Sequence, residues 1–317
     1  MNAATPSRVA VVTPVFEDRA ASTRLFRELH DAIGESLFVV AVDDGSVREP
    51  VEISALAGAA VDGVVIRLRR NVGHQRAIAI GLSWLVDHVD DVARIVVMDS
   101  DGEDLPASIS PLGAALDSAD VDIVVAERRS RVETFRFRAF YAVYRWLFHL
   151  LSGRAIRFGN FMAMKPAAAR RLVAMHELWI HVAACVLGSK LRVATCALDR
   201  GPRYAGRSKM NFVGLVLHGF RALMVFADDV LVRVGIACAA VAALSVLGGI
   251  AAVVLKLIGI ATPGWFSVAF GILLLMFLQT GAITLMTLML AGVARGAATI
   301  RIEYRDFIDE VLVRDAQ

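Results

Sequence analysis

From Val234 to Leu255, and again from Leu257 to Ala294, no residue carries a charge. Few features restrict a fold more. As a helix the first run spans roughly 33 Å, enough to cross a bilayer core of about 30 Å. Pro263 and Gly264 break the second run just before Trp265. The pattern predicts two transmembrane helices, about 234–256 and 265–293 within an apolar segment 230–294, joined by the loop KLIGIATPGW. A buried helix pair in a soluble core is the alternative, and two such runs side by side argue against it. The overall hydrophobic fraction of 57% is concentrated here, because residues 1–225 read as a mixed, charged globular chain. Arg207, Lys209, Arg221 and Arg233 precede the first span, Arg295, Arg301 and Arg305 follow the second, and the connecting loop holds only Lys256. An excess of basic residues marks the cytoplasmic side. The globular domain and both termini are therefore expected in the cytosol, with the chain multi-pass in the inner membrane. The N-terminal MNAATPSR lacks the apolar core of a signal peptide. Cys185, Cys196 and Cys238 form neither a CxxC nor a metal spacing, which fits a reducing compartment. The net charge of +3 is too small to imply nucleic acid as a partner.

The first 130 residues alternate apolar runs with helical patterns. RVAVVTPV, LFVVAVDD, GVVIRLR, RIVVMDSD and DIVVAER read as strands. Arg19–Ile33, His74–Val89 and Pro106–Ser118 read as helices. This predicts an α/β fold, a Rossmann-like and mainly parallel sheet with helices on both faces. LRVATCALDR reads as a further strand, residues 133–152 as a helix rich in aromatics and arginine, and RGPRYAGRSK as a basic loop. The boundaries expected are a cytosolic domain over 1–208, an amphipathic interfacial helix over 209–229, the spans, and a cytosolic tail over 295–317. Ligands of such sheets bind beyond the carboxyl ends of the strands. Two acidic clusters, DDGS and DSDGED, fall at such ends.

DSDGED crowds four carboxylates, Asp99, Asp101, Glu103 and Asp104, into six residues. Residues i and i+2 of an extended chain face one way, so Asp99 and Asp101 can converge on a cation. Oxygen donors of this kind suit Mg²⁺ or Mn²⁺. A solvated acidic turn is the plainer reading of the segment alone. Asp43 and Asp44 stand in a D-G-S turn that can accept hydrogen bonds from a base or a ribose. Gly73, His74 and Gln75 open a helix whose N-terminus attracts anions. Arg128 and Arg138 belong to an arginine-rich stretch suited to anionic head groups or a lipid phosphate. Arg203, Arg207 and Lys209 flank Gly206 in a loop able to cover a diphosphate.

Together PVFED, VDDGS, RNVGHQ, DSDGED and YAGRSK, in this order, resemble family 2 glycosyltransferases. The likeness is to the polyprenyl-phosphate branch related to dolichol-phosphate mannose synthase, over about Val9 to Phe212, and the two C-terminal spans match its bacterial members. The resemblance implies a GT-A fold, a nucleotide-diphosphate sugar donor, a divalent metal and inversion at the anomeric carbon. It places the nucleotide sugar on Pro14, Phe16, Asp18, Asp43, Asp44, Gly73, Gln75, Asp99, Ser100 and Asp101. It places a metal on Asp99, Asp101 and Glu103, and phosphate or acceptor on Arg128, Arg138, Arg203, Ser208 and Lys209. Asp99, Asp101, Arg128 and Lys209 are the implied catalytic groups. The usual P-x-Y-N-E reads Pro14-Val15-Phe16-Glu17-Asp18 here, and IRFGNF lacks an aspartate that many relatives carry.

The implied reaction moves one sugar to a polyprenyl phosphate at the cytosolic leaflet. Two alternatives stay open: another lipid acceptor with a hydroxyl, for which Asp101, Asp104, His176 or Glu177 would serve as base, and a non-catalytic scaffold in a membrane glycan assembly complex. Expected partners are membrane lipids and a flippase or downstream glycosyltransferase. A homo-oligomer is a further expectation, because Gly264, Gly271, Gly281 and Gly292 permit close helix packing. No Q-x-x-R-W motif of a processive synthase is present.

Overall fold

The computed structural model describes residues 8–118, 120–128, 135–156, 158–204, 212–260, 264–297 and 303–314. The chain divides into two compact units. One holds Met1–Ala142, Ile156–Val225 and Ile302–Gln317, and the other holds Val143–Ala155 and Phe226–Arg301.

The first unit is built on one sheet. Its strands are β1 (Arg8–Val15), β2 (Leu37–Asp43), β3 (Asp62–Leu68), β4 (Val92–Val97), β5 (Ile123–Arg128), β6 (Met162–Met164), β7 (Val193–Leu198) and β8 (Ile308–Val313), in the spatial order β7-β5-β6-β4-β1-β2-β3-β8. The helices before Phe226 are α1 (Arg19–Ile33), α2 (Ile53–Ala57), α3 (His74–His88), α4 (Ile109–Ser118), α5 (Phe135–Ser152), α6 (Pro166–Val173), α7 (Val182–Gly188) and α8 (Phe212–Met224), of which α5 falls mostly in the second unit. The central strands are nearly continuous apolar runs because both faces are covered. Ala10, Val12, Val40 and Val42 point to one core with α3 and α6. Val11, Val39 and Ala41 point to the other with α1, α2 and α4. Gly81 lets α3 lie directly on the sheet, since a Cβ there would stand 2.6 Å from Val12 Cγ1.

β1, β2, β3 and β4 run parallel, as the sequence predicts. Two strands run against them. β6 lies antiparallel between β4 and β5. β8 lies antiparallel on β3, pairing Val64 with Val313 and Ile66 with Val311. The segment read from sequence as a tail is thus the outer strand of the sheet. Ion pairs staple both margins: Arg67 with Glu310 near β8, and Asp122 with the guanidinium of Arg192 at 2.9 Å near β7. From β1 the chain proceeds to β2 and β3 on one side and then crosses to β4 on the other. The crevice at that reversal, beyond Val15, Asp43 and Val97, is where such folds bind ligands.

The second unit holds α9 (Ala227–Leu257) and α10 (Trp265–Ala297). Both are long and apolar enough to cross a membrane, by length and composition. Gly248 lies at their contact, where a Cβ would be 3.2 Å from Leu273 side-chain carbons. Gly264, Gly271 and Gly281 meet nothing within 4 Å, and the surroundings of Gly292 lie outside the described part. Phe148 packs edge-on against Phe226 at 6.0 Å, and Arg154 covers the same ring at 4.7 Å.

Candidate active site

Three loops meet at the crevice because three strands end there together. The loop after β1 is PVFED, the loop after β2 is DDGS, and the loop after β4 is DSDGED. Backbone bonds draw them together: Asp44 N–H donates to Val15 O at 2.8 Å, and Met98 N–H to Val12 O at 3.2 Å. Ser100 is buried, and its hydroxyl donates to Pro14 O at 3.0 Å, which ties the third loop to the first.

The carboxylates of the first two loops are structural braces as the protein stands. Asp43 is 1% exposed and accepts from Ser46 N–H at 2.9 Å and Val51 N–H at 2.7 Å. Asp44 accepts from Val72 N–H at 2.7 Å and Gly73 N–H at 2.9 Å, fastening the RNVG turn to β2. Burial pushes the Asp44 carboxyl above the usual range against those two bonds. Gly45, at φ +71, brings this loop so close to the RNVG turn that a Cβ would stand 2.5 Å from the Arg70 carbonyl carbon.

The acid that organises PVFED is Glu17. Its carboxylate accepts from Val47, Arg48 and Glu49 N–H at 2.9–3.2 Å, and the Val47 bond first of all holds it below the usual range. Asp18 is the N-cap residue of α1 without a side-chain capping bond, and Phe16 is 40% exposed at the rim. Gln75 is buried and braces α7, its Oε1 accepting from Val182 N–H at 2.7 Å.

In DSDGED the charges are distributed unequally. Asp99 Oδ1 lies 3.1 Å from His74 Nε2, whose other neighbour is Asn160 at 3.0 Å. Burial opposes the charged imidazole, yet Asp99, Asp101 and Asp44 outweigh it and raise His74. Asp101 pairs with Arg203 at 2.8 Å. Glu103 pairs with Arg200 and, at 3.4 Å, with Arg203. Asp104 turns inward and accepts from Asp99 N–H at 3.0 Å. Burial first, and Asp99 second, push the Asp101 carboxyl up against the pull of Arg203 and Arg200. Asp99 and Asp101 are hard oxygen donors of the kind that suit Mg²⁺ or Mn²⁺, although His74 and Arg203 respectively stand against them as the protein is arranged here. Glu103, expected from sequence as a third ligand, is engaged by Arg200 and Arg203. Among the described residues no three His, Cys, Asp or Glu side chains gather to hold a metal.

The basic loop is hinged on this one. Gly201 N–H donates to Glu103 O at 3.0 Å and Tyr204 N–H to Asp101 O at 2.9 Å. The Tyr204 ring lies on Gly102, its hydroxyl donates to Glu28, and Arg24 covers it at 4.3 Å. Glu28 and Arg24 are site neighbours that no sequence motif marks, while Arg200 and Tyr204 stand in RGPRYAGRSK but are not among its expected site residues. Arg203 is in place. Ser208 and Lys209 lie outside the described residues, as do the side chains of Arg128 in β5 and Arg138 in α5.

An open mixed sheet with acidic loops at its switch point defines a doubly wound type of α/β protein, and comparison with known proteins narrows the class. The model of glycosyl transferase family 2 matches residues 10–179, more than half of the chain. The chain belongs to that family and is a glycosyltransferase. It is 26% identical to the undecaprenyl-phosphate 4-deoxy-4-formamido-L-arabinose transferase of Shewanella sediminis, over 97% of this chain and 93% of the relative. It is also 26% identical to the uncharacterized glycosyltransferase YkoT of Bacillus subtilis, over 86% of this chain and 83% of that one. Among solved structures it resembles glucosyl-3-phosphoglycerate synthase from Mycobacterium tuberculosis, crystallised with Mn²⁺, UDP and glucosyl-3-phosphoglycerate. There the TM-score is 0.53 at 14% identity, covering 71% of this chain and 80% of that one. This likeness shows the GT-A fold.

Proposed function

We propose that the protein is a membrane-anchored, inverting transferase that moves one sugar from a nucleotide-diphosphate sugar to a polyprenyl phosphate at the cytosolic leaflet. The observation that carries this reading is the similarity along 97% of the chain, apolar helices included, to a relative named for transfer on undecaprenyl phosphate. The site supports it. A phosphate monoester has a second pKa near 6 and is largely ionised at neutral pH. Its oxygen is already a nucleophile, so the absence of an acid from IRFGNF is no obstacle. That oxygen forms the new bond to the anomeric carbon while the bond to the nucleoside diphosphate breaks on the opposite face. The protein aligns the two and stabilises the departing charge. Arg200 and Arg203, already beside Asp101 and Glu103, stand where such a charge is offset. A divalent ion on Asp99 and Asp101 would supply further positive charge to the leaving diphosphate.

The path of the chain supports the membrane arrangement. It leaves the first unit after Val225, runs through α9 and α10, and re-enters with β8. An even number of crossings lets both segments join one sheet on one side, and the flanking basic residues favour the cytosol. The test is release of nucleoside diphosphate by the purified protein with undecaprenyl phosphate, a panel of UDP- and GDP-sugars, and Mg²⁺ or Mn²⁺. Release that requires one donor and the lipid phosphate is expected. Nucleotide binding without release on any polyprenyl phosphate would refute the acceptor.

A further inference from the structure

The helix α8 presents three kinds of surface around its circumference. Val213, Leu217, Phe220 and Met224 are all more than half exposed and recur on one face, an apolar stripe. Ala222 is buried on the side away from it. At 3.6 residues per turn, Arg221 lies about 70° from the stripe's centre and His218 about 130°. Moving round the helix from the stripe, one meets an exposed guanidinium, then a half-buried imidazole, then the packed seam.

That imidazole is part of a hydrogen-bond chain. His218 Nε2 is 3.0 Å from His181 Nε2, and His181 Nδ1 caps α7 by accepting from Ala184 N–H at 3.2 Å. The cap leaves the His181 proton on Nε2, where it donates to His218. His218 then carries its own proton on Nδ1 as a donor with no partner among the described residues. Burial, then neighbouring charge from His218, pushes His181 down to about 3; burial, His74 and Arg221 also push His218 down. The pair is neutral. At the start of α7, next to His181, stands the Gln75 amide. Its Oε1 is fixed on Val182 N–H, and its buried Nε2 has no partner among the described residues. Asp99 acts weakly in the opposite sense on His218, raising it.

We propose that the edge of α8 bearing Arg221 and His218, backed by His181 and Gln75, receives the phosphate of the lipid acceptor. The inference rests on the transferase reading above and specifies where its acceptor lands. A phosphate monoester offers acceptor oxygens and negative charge, and this edge offers one guanidinium and N–H donors that lack acceptors. The adjoining stripe suits a prenyl chain, which distinguishes the lipid from free phosphate.

The full chain in phosphatidylcholine nanodiscs provides the test. Binding of undecaprenyl phosphate is compared with undecaprenol, inorganic phosphate and phosphatidylglycerol, without donor. Wild type is expected to prefer undecaprenyl phosphate over all three. R221Q, at an exposed position, and H218A are each expected to weaken it about tenfold, with UDP and GDP affinities unchanged, and H218N to restore most of the loss. Equal binding of undecaprenol, no binding by wild type, or unchanged affinity in both R221Q and H218A would overturn the site. Wild type that binds the lipid phosphate through these residues but transfers no sugar to it would leave the site standing and remove the transferase reading. Transfer undiminished in both variants would do the reverse.

Discussion

Gly102→Ala tests whether the acidic and basic loops work as one body. Gly102 sits at φ +87, and an added Cβ would stand 2.7 Å from the Tyr204 ring. The left-handed backbone costs an L-residue about 1–2 kcal/mol. The ring cannot yield freely, because its hydroxyl is on Glu28 and Arg24 lies over its face. Displacing it forfeits a hydrogen bond to a charged group, about 1.5–3 kcal/mol, and a cation–π contact of about 0.5–1 kcal/mol. Partial exposure favours the lower ends, so roughly 3 kcal/mol is at stake. If it is spent on opening the loop, release of nucleoside diphosphate falls on the order of 100-fold. A double-mutant cycle isolates the cause. In a Y204A background G102A should cost only the backbone strain, about 5- to 30-fold. Equal losses from G102A in both backgrounds would refute the reasoning, because turn and ring would then be independent.

Other outcomes follow from the same geometry. Asp101→Asn, or chelation of divalent ions, should lower nucleoside diphosphate release at least about 100-fold; full activity in chelator would remove the metal from the reading. Asp44→Ala leaves two part-buried N–H donors, those of Val72 and Gly73, without their acceptor. It should destabilise the first unit by about 1–3 kcal/mol in urea melts followed by near-UV circular dichroism. The Asp122 carboxyl is held down to about 2, chiefly by its hydrogen bond with the Arg192 guanidinium. A depressed acid stabilises the fold above its unfolded value near 3.9 and loses that contribution as pH falls toward 2. The stability gap between wild type and D122N should therefore be constant above pH 5 and close between pH 4 and 2; a gap that persists at pH 2 would contradict the pairing.

The sequence foretold the parallel strands because each is a long apolar run ended by a polar cluster. β1 and α1 fall at Arg8–Val15 and Arg19–Ile33, as read. Three-residue β6 carries too short a pattern to show a period. β8 has an ordinary strand pattern, IDEVLV, but its place after two apolar helices made it look like a tail. In the site, motifs located the three loops, while side-chain partnerships stayed hidden. Asp18 drew attention through the altered PVFED motif, yet Glu17, one residue earlier, gathers the three N–H groups of 47–49. Nothing local to Glu28 or Arg24 marks them as supports of Tyr204, since their meeting depends on residues far apart in the chain.

The position of β8 has a consequence for biosynthesis. Its partner β3 leaves the ribosome some 240 residues earlier, and Val64 must wait for Val313. In the interval β3 offers an unpaired edge, a template for association with other chains. Synthesis of both apolar helices comes before that edge is closed. Completion of the sheet is thereby made to follow synthesis of α9 and α10, and a chain cut short within either helix keeps an open seam.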